Sequence, residues 1–185
     1  FWLLAYLIAR ESAWQITQSI SGIWGWLPWG IVPALFLIAV NRAAPQPSWP
    51  LRSQADAYRV RGSAPLAAFA VLWIVLVNFS GNGDPAEIPY LPLLNPLDLS
   101  VAFVLISLGY YALALSPEER SRVWRLQEPL TRAHFAATAA GLIFLWLNSA
   151  LVRALHHSLG TPYALREVVH SVTVLASLSI FWSLL

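Results

Sequence analysis

The sequence predicts an all-α protein, a polytopic bundle of transmembrane helices with about five complete spans plus a partial first helix. Of its 185 residues, 58% are apolar and only 11% are charged, whereas soluble domains carry about 25% charged residues. Long stretches contain no charge at all, and about 20 apolar helical residues cross a bilayer core. The arginines are also unevenly shared among the connecting segments, as is typical of membrane proteins with a fixed orientation.

The charge-free stretches place the spans. They predict complete helices at about 23–40, 64–80, 97–115, 133–152 and 166–185. Residues 1–9 are apolar as well and are interpreted as the end of a partial first helix, because no basic leading region marks them as a secretory signal. Since the chain begins and ends within apolar runs, we expect it to be an excerpt of a longer chain, whose other transmembrane helices would be its partners.

The arginines predict the orientation. Eight of the eleven lie in the linkers 41–63 and 116–132, and none lies in 81–95. An up-and-down arrangement puts both linkers on one side, which the positive-inside rule makes cytoplasmic. The segments 10–22, 81–95 and 153–165 then face outward from a bacterial inner membrane.

The partners expected from this composition are membrane lipids, because anionic headgroups attract the arginines of the linkers. The formal net charge of +2 is explained by that placement and requires no nucleic acid. The chain has no cysteine, which excludes disulfides, thiolate nucleophiles and thiolate metal sites.

Four pairs of a short polar residue followed by proline predict helix starts, because such a residue caps free N–H groups and proline fits the first turn. They are Asp84-Pro85, Asn95-Pro96, Ser116-Pro117 and Thr161-Pro162. An acid in the first turn also complements the helix dipole, which is a sufficient role for Asp98. Ser116 and Glu119 have the spacing of a capping box.

Asn148 is a polar residue within the span 133–152. An amide in hydrocarbon is costly unless it is paired, so we expect it to hydrogen-bond to a neighbouring helix. Helix packing is favoured over contact with a substrate, which remains the alternative.

Ionisable residues gather on the last outward segment, where Arg153, His156 and His157 follow the span. In one interpretation Arg153 extends to the lipid headgroups and both histidines lie in the interface. In the other, Arg153 binds an anionic group such as a phosphate, and a histidine acts as acid or base.

Glu167 and His170 lie on the same outward hairpin, on one face of the last predicted helix, and could converge with these residues. The candidate catalytic residues are therefore His156, His157 and His170. Adjacent histidines cannot both face one point on a helix, and Glu167 is the only acid nearby, so the sequence predicts neither a metal site nor a cofactor.

Three strings carry a family resemblance: LPLLNPLDL at 91–99, FLWLNSALVRALHH at 144–157 and GTPYALREVV at 160–169. With them the chain resembles the bacterial inner-membrane proteins of domain-of-unknown-function family 2339. The resemblance implies a membrane location and a polytopic helical fold, and it supplies no reaction. The positions it selects for testing are Asn95, Pro96, Asp98, Asn148, Arg153, His156 and His157.

Three functions remain open. The first is a role in envelope-related transport or as an assembly scaffold, with envelope proteins as candidate partners. The second is an enzyme that acts on a lipid-linked or glycan substrate at the outer leaflet through Arg153 and His156, His157 or His170. The third is a purely structural part without a ligand. The candidate substrate-binding residues are Arg153, Asn148, Asp98, Asn95 and Glu167.

Overall fold

A computed structural model describes residues 2–43, 54, 57–116, 118–120 and 132–184. Within these ranges the chain forms helices and connecting loops without strands, which confirms the predicted all-α helix bundle. Much of the two predicted cytoplasmic linkers, 41–63 and 116–132, lies outside the described residues.

Seven α-helices are described. They are α1 (Trp2–Ser19), α2 (Leu27–Ala43), α3 (Ser63–Ser80), α4 (Pro96–Ala114), α5 (Arg132–Leu159), α6 (Leu165–Val168) and α7 (Val172–Leu184). A 3₁₀ turn, Gly22–Trp26, precedes α2, and a π-helical turn, Ala57–Gly62, precedes α3.

Four of the described helical segments are long and apolar enough to cross a membrane. They are Gly22–Ala43, Ala57–Ser80, Pro96–Ala114 and Ala133–Leu159. Helix α7 is apolar but shorter.

Helix α2 lies at the centre and packs against α1, α3 and α4. Its neighbour α1 buries Ala5, Ala9 and Ala13, which recur every four residues and therefore share one face. Small side chains on that face allow the two backbones to approach closely. The core between α2, α3 and α4 is mostly apolar, with Ile74 and Val101 fully buried.

The helix bounds differ from the sequence prediction at both ends of the chain. Helix α1 continues past residue 9 to Ser19, with Arg10 and Glu11 exposed. Helix α5 continues past residue 152 to Leu159, because the first residue suited to end it is Gly160. That glycine has φ +66°, and its N–H donates to the His156 carbonyl at 2.9 Å, the arrangement that commonly closes a helix.

The predicted last span, 166–185, forms two helices instead of one. Between α6 and α7 the Ser171 N–H donates to the Val168 carbonyl at 3.1 Å, a tight turn that ends α6. The Ser171 carbonyl then accepts from Leu175 N–H at 3.0 Å and begins α7. His170 consequently lies in the turn and not within a helix.

Two of the four predicted caps are confirmed. The Asn95 side chain accepts from Asp98 N–H at 3.0 Å. Ser116 and Glu119 form the reciprocal pair of a capping box: the Ser116 N–H donates to the carboxylate at 2.8 Å, and the hydroxyl accepts from Glu119 N–H at 3.2 Å.

The other two predicted helix starts are wrong. Asp84 accepts from Ala86 N–H at 2.9 Å in a turn, and Ala86 has φ +57°, which no right-handed helix accommodates. Thr161 does not cap a helix, because α6 begins four residues later at Leu165.

Candidate functional site

One end of the bundle contains a cluster of polar side chains where α3 ends, α4 begins and the last turns of α5 pass between them. Its members are drawn from these three helices and from the loop that follows α5. We call it the Arg153 cluster: Asn78, Asn95, Asp98, Trp146, Arg153 and Tyr163.

The centre of this cluster is an ion pair between Asp98 of α4 and Arg153 of α5. Both side chains are fully buried, with 0% of their surface exposed. A buried ion is tolerated only when its partners replace the lost hydration. The remaining hydrogen bonds of the two side chains therefore decide whether the pair is stable.

The guanidinium of Arg153 is bound by two further side chains. They are Asn78, near the end of α3, and Tyr163, in the loop after α5. The Asn78 Oδ1 atom accepts from both terminal nitrogens of Arg153, at 3.2 and 3.3 Å. The Tyr163 hydroxyl lies 3.5 Å from Arg153 Nη1 and donates to the Asn78 carbonyl at 2.8 Å. Burial raises the pKa of the Tyr163 phenol, which keeps this hydroxyl protonated as a donor.

The carboxylate of Asp98 accepts hydrogen bonds from Asn95 and Trp146. Trp146 Nε1 donates to Asp98 Oδ1 at 2.9 Å. Asn95 caps α4 with its oxygen and donates from Nδ2 to Asp98 Oδ2. With Arg153, the carboxylate thus accepts three side-chain hydrogen bonds, which compensate its burial.

The 81–95 loop lies against Arg153. A Cβ atom built on Gly83 would lie 2.8 Å from Arg153 Cδ and 3.4 Å from the Tyr90 ring, and Gly83 has φ +74°. Arg153 Nε and the Tyr90 hydroxyl are both buried without a hydrogen-bond partner. Burial raises the pKa of Tyr90 to about 12, with the Asp98 carboxylate adding to the effect and the Arg153 cation opposing it.

His156 and His157 lie at the rim of the cluster, on different sides of α5. His156 Nδ1 is 2.6 Å from the Thr161 carbonyl oxygen, and His157 Nε2 is 2.9 Å from that of Asn82. A carbonyl only accepts, so each of these nitrogens carries its proton in the contact. His157 is exposed and stacks on Tyr90 with ring centroids 4.0 Å apart.

The structure does not bring the remaining candidates to this site. Glu167 and His170 are exposed, and neither side chain makes a hydrogen bond or ion pair to the described members of the Arg153 cluster. Asn148 belongs to a different contact, in which its Oδ1 accepts from Trp182 Nε1 of α7 at 2.9 Å. In the described ranges, no three His, Asp or Glu residues lie close enough to hold a metal ion.

This arrangement fastens α3, α4 and α5 together and leaves the Arg153 side chain fully buried. The guanidinium is buried and both of its terminal nitrogens donate hydrogen bonds, so Arg153 does not extend to the lipid headgroups. Truncating one partner of such a pair leaves an uncompensated charge, at a cost of about 3–5 kcal/mol.

Sequence reasoning missed Asn78, Trp146, Tyr163 and Tyr90 as members or neighbours of the site. One signal in the sequence pointed to Asn78. Arg153 follows a span on the side of the membrane that carries few arginines, and Asp98 lies at the start of another span. Each of these charges needs a partner at the same depth in the membrane. Asn78, the one strongly polar side chain inside the predicted span 64–80, is the third group that this reasoning selects.

Comparison with known proteins identifies one family. A family model described as "Predicted membrane protein (DUF2339)" matches residues 1–185. Neither the curated proteins nor the solved structures yield a match to this chain.

Proposed function

The chain belongs to domain-of-unknown-function family 2339, a family of membrane proteins, and on that premise we propose that it is a membrane-embedded scaffold. Its described helices form a fixed platform, on which other transmembrane helices of the same protein or envelope proteins assemble. Its location is the bacterial inner membrane, which it crosses several times.

The observation that carries this proposal is the complete enclosure of the Asp98–Arg153 pair. The pair joins α4 to α5, Asn78 ties α3 to it, and Tyr163 ties the following loop. Ionisable groups within membranes mark transport pathways when they face a watery cavity. Here the charges are 0% exposed and are bound to one another, so they favour a structural role over substrate binding.

The arginine distribution supports the orientation of the proposed platform. The described parts of the two arginine-rich linkers meet at the opposite end of the bundle, where Arg59 pairs with Glu119 at 3.1 Å. The Arg153 cluster therefore faces the outer leaflet, and the Arg59–Glu119 pair faces the cytoplasm.

The test uses neutral replacements of nearly equal shape in the full-length protein. Asp98→Asn and Arg153→Gln each leave one charge buried and unpaired, so each single variant should lose abundance in the membrane and unfold at lower temperature. The double variant leaves no net charge behind and should recover much of both, because the two losses are coupled. A deletion phenotype measured in parallel should recover together with abundance.

The alternative function is an outer-leaflet enzyme acting on a lipid-linked or glycan substrate. It predicts the opposite result for the phenotype of the double variant. If Arg153 holds a substrate, the double variant regains abundance but not the phenotype, and the scaffold proposal is overturned. His157→Phe gives an independent measurement, because phenylalanine keeps the ring contact with Tyr90 and removes the exposed imidazole. Loss of the phenotype at normal abundance in this variant would favour the enzyme.

A further inference from the structure

A second feature lies at the opposite end of the bundle, in a cleft between the first half of α3, the second half of α4 and the first half of α5. Its volume is about 430 Å³, within the range of small-molecule sites. Its walls are mostly small or aliphatic, with Ala67, Leu105 and Leu108 among them, and Gly109 lies on the α4 wall.

The two hydroxyl groups in the cleft wall already donate hydrogen bonds. The Tyr111 hydroxyl donates to the Arg59 carbonyl at 2.9 Å, and the Thr138 hydroxyl donates to the His134 carbonyl at 2.9 Å. The wall therefore offers its occupant mainly apolar contact, which suits a hydrocarbon chain better than a polar solute. Most residues in the first half of α5 are exposed, so the cleft opens toward the surrounding lipid.

A buried cation lies beside the cleft. Arg120 is only 7% exposed, and its Cζ atom lies 5.8 Å from the ring centroid of Phe135, a residue of the cleft wall. Its Nε atom is buried without a hydrogen-bond partner.

Glu119, the residue before Arg120 in the chain, is held by other groups. Glu119 is held by Arg59 at 3.1 Å and by the Ser116 N–H at 2.8 Å. A positive group at the end of an apolar cleft matches a molecule that carries a negative headgroup on a hydrocarbon tail.

The geometry points to a binding site for an anionic phospholipid of the cytoplasmic leaflet, with one acyl chain in this cleft and its phosphate against Arg120. The site is separate from the Arg153 cluster and shares none of its residues. It gives the protein a preference among lipids in addition to its structural role. The lipid would fasten the exposed half of α5 to α3 and α4.

Gly109 provides the central variant. A Cβ atom built on this glycine meets nothing within 4 Å, so a side chain added here starts in open space, and Gly109→Leu is the variant chosen to fill the cleft. The matched control is Gly141→Leu, since Gly141 also has open space and is absent from the cleft wall. Ala139→Leu fills the cleft from α5 and serves as a second variant if Gly109→Leu does not fold. The unfolding temperature of each variant shows whether it is intact.

A second pair of variants tests the charge. Arg120→Gln removes the cation beside the cleft, and Arg42→Gln removes one from an exposed position at the end of α2, outside the cleft. One basic group near anionic lipid contributes about fivefold in affinity. The Arg120 variant should lose that factor for an anionic lipid only, while the Arg42 variant should lose little.

The experiment is native mass spectrometry of the full-length protein in detergent, titrated with phosphatidylglycerol or with phosphatidylcholine of the same acyl chains. We expect phosphatidylglycerol to bind more tightly, and Gly109→Leu to weaken both lipids about tenfold, the equivalent of about two buried methylene groups. Gly141→Leu should bind like the unaltered protein.

Three results would overturn the assignment. In the first, the two lipids bind equally well, or an intact Gly109→Leu variant binds like the unaltered protein. In the second, glycerol phosphate alone binds as tightly as the lipid, which makes the site one for free phosphate. In the third, the protein retains neither lipid and Gly109→Leu changes its oligomeric state, which makes the cleft a site for a protein helix.

Discussion

Gly83 gives the sharpest test of how the 81–95 loop is coupled to the buried ion pair. The change is Gly83→Ala, and the matched control is Gly160→Ala. Both glycines have positive φ, +74° and +66°, so alanine is strained by a similar amount at either position. Only at Gly83 does the added Cβ meet another part of the protein.

The expected magnitudes follow from these contacts. The left-handed conformation costs an alanine about 1–2 kcal/mol at either site. At Gly83 the new Cβ would lie 2.8 Å from Arg153 Cδ, whereas carbon atoms pack at about 3.5–4.0 Å. Arg153 must therefore shift and loosen its charged hydrogen bonds, a further cost of about 2 kcal/mol. Gly160 has nothing within 4 Å and carries the strain alone.

The assay is the unfolding of the purified full-length protein, compared among the unaltered chain and the two variants. The Gly83 variant should lose about 2 kcal/mol more than the Gly160 variant, roughly a thirtyfold difference in the folded-to-unfolded ratio. Equal losses would refute the coupling, because the contact with Arg153 is the main difference between the sites. A smaller loss at Gly83 would refute it as well.

Three further predictions concern the orientation of the bundle and the loop and side chains around the Arg153 cluster. A periplasmic reporter fused after Gly81 should be active and one fused after Pro47 silent, and the reverse pattern would invert the proposed orientation. Trp146→Phe removes a hydrogen bond to a buried carboxylate and should cost about 2 kcal/mol of unfolding free energy, more than Trp24→Phe, whose Nε1 donates to a neutral carbonyl. Because the pKa of Tyr90 is raised from 10.0 to about 12 in the folded state, its contribution to stability is complete below pH 10 and is lost as the pH rises toward 12. Unfolding of the unaltered protein and of Tyr90→Phe, measured across that range, should show extra destabilisation only in the former; parallel curves would contradict this.

The sequence predicted the helical class and the approximate positions of four long helices because these depend on the number of consecutive apolar residues. The two confirmed caps, at Asn95 and Ser116, depend equally on short-range spacing. The wrong helix start at Asp84 has a different origin. Its Asx turn belongs to a loop held against the bundle, where Ile23 N–H donates to the Asp84 carbonyl at 3.0 Å, and no local pattern contains that contact.

The partner of Asp98 could not be predicted from local reasoning for a similar reason. Capping was a sufficient role for this acid, and extension to the headgroups was a sufficient role for Arg153. Each interpretation treated one residue alone, but the two side chains meet across 55 residues of chain. Helix packing decides the roles of Asp98 and Arg153. Only where α3, α4 and α5 meet do Asn78 and Arg153 reach the depth of Asp98.

The order of these residues along the chain has a consequence for biosynthesis. Asp98 leaves the ribosome 55 residues ahead of Arg153, which at ordinary elongation rates is a delay of roughly 3 to 11 s. During that interval the carboxylate has its amide neighbour Asn95 but no cation to pair with. The charge of Asp98 can therefore be neutralised by Arg153 only after α5 has been synthesised, so the contact between α4 and α5 is completed late in biosynthesis.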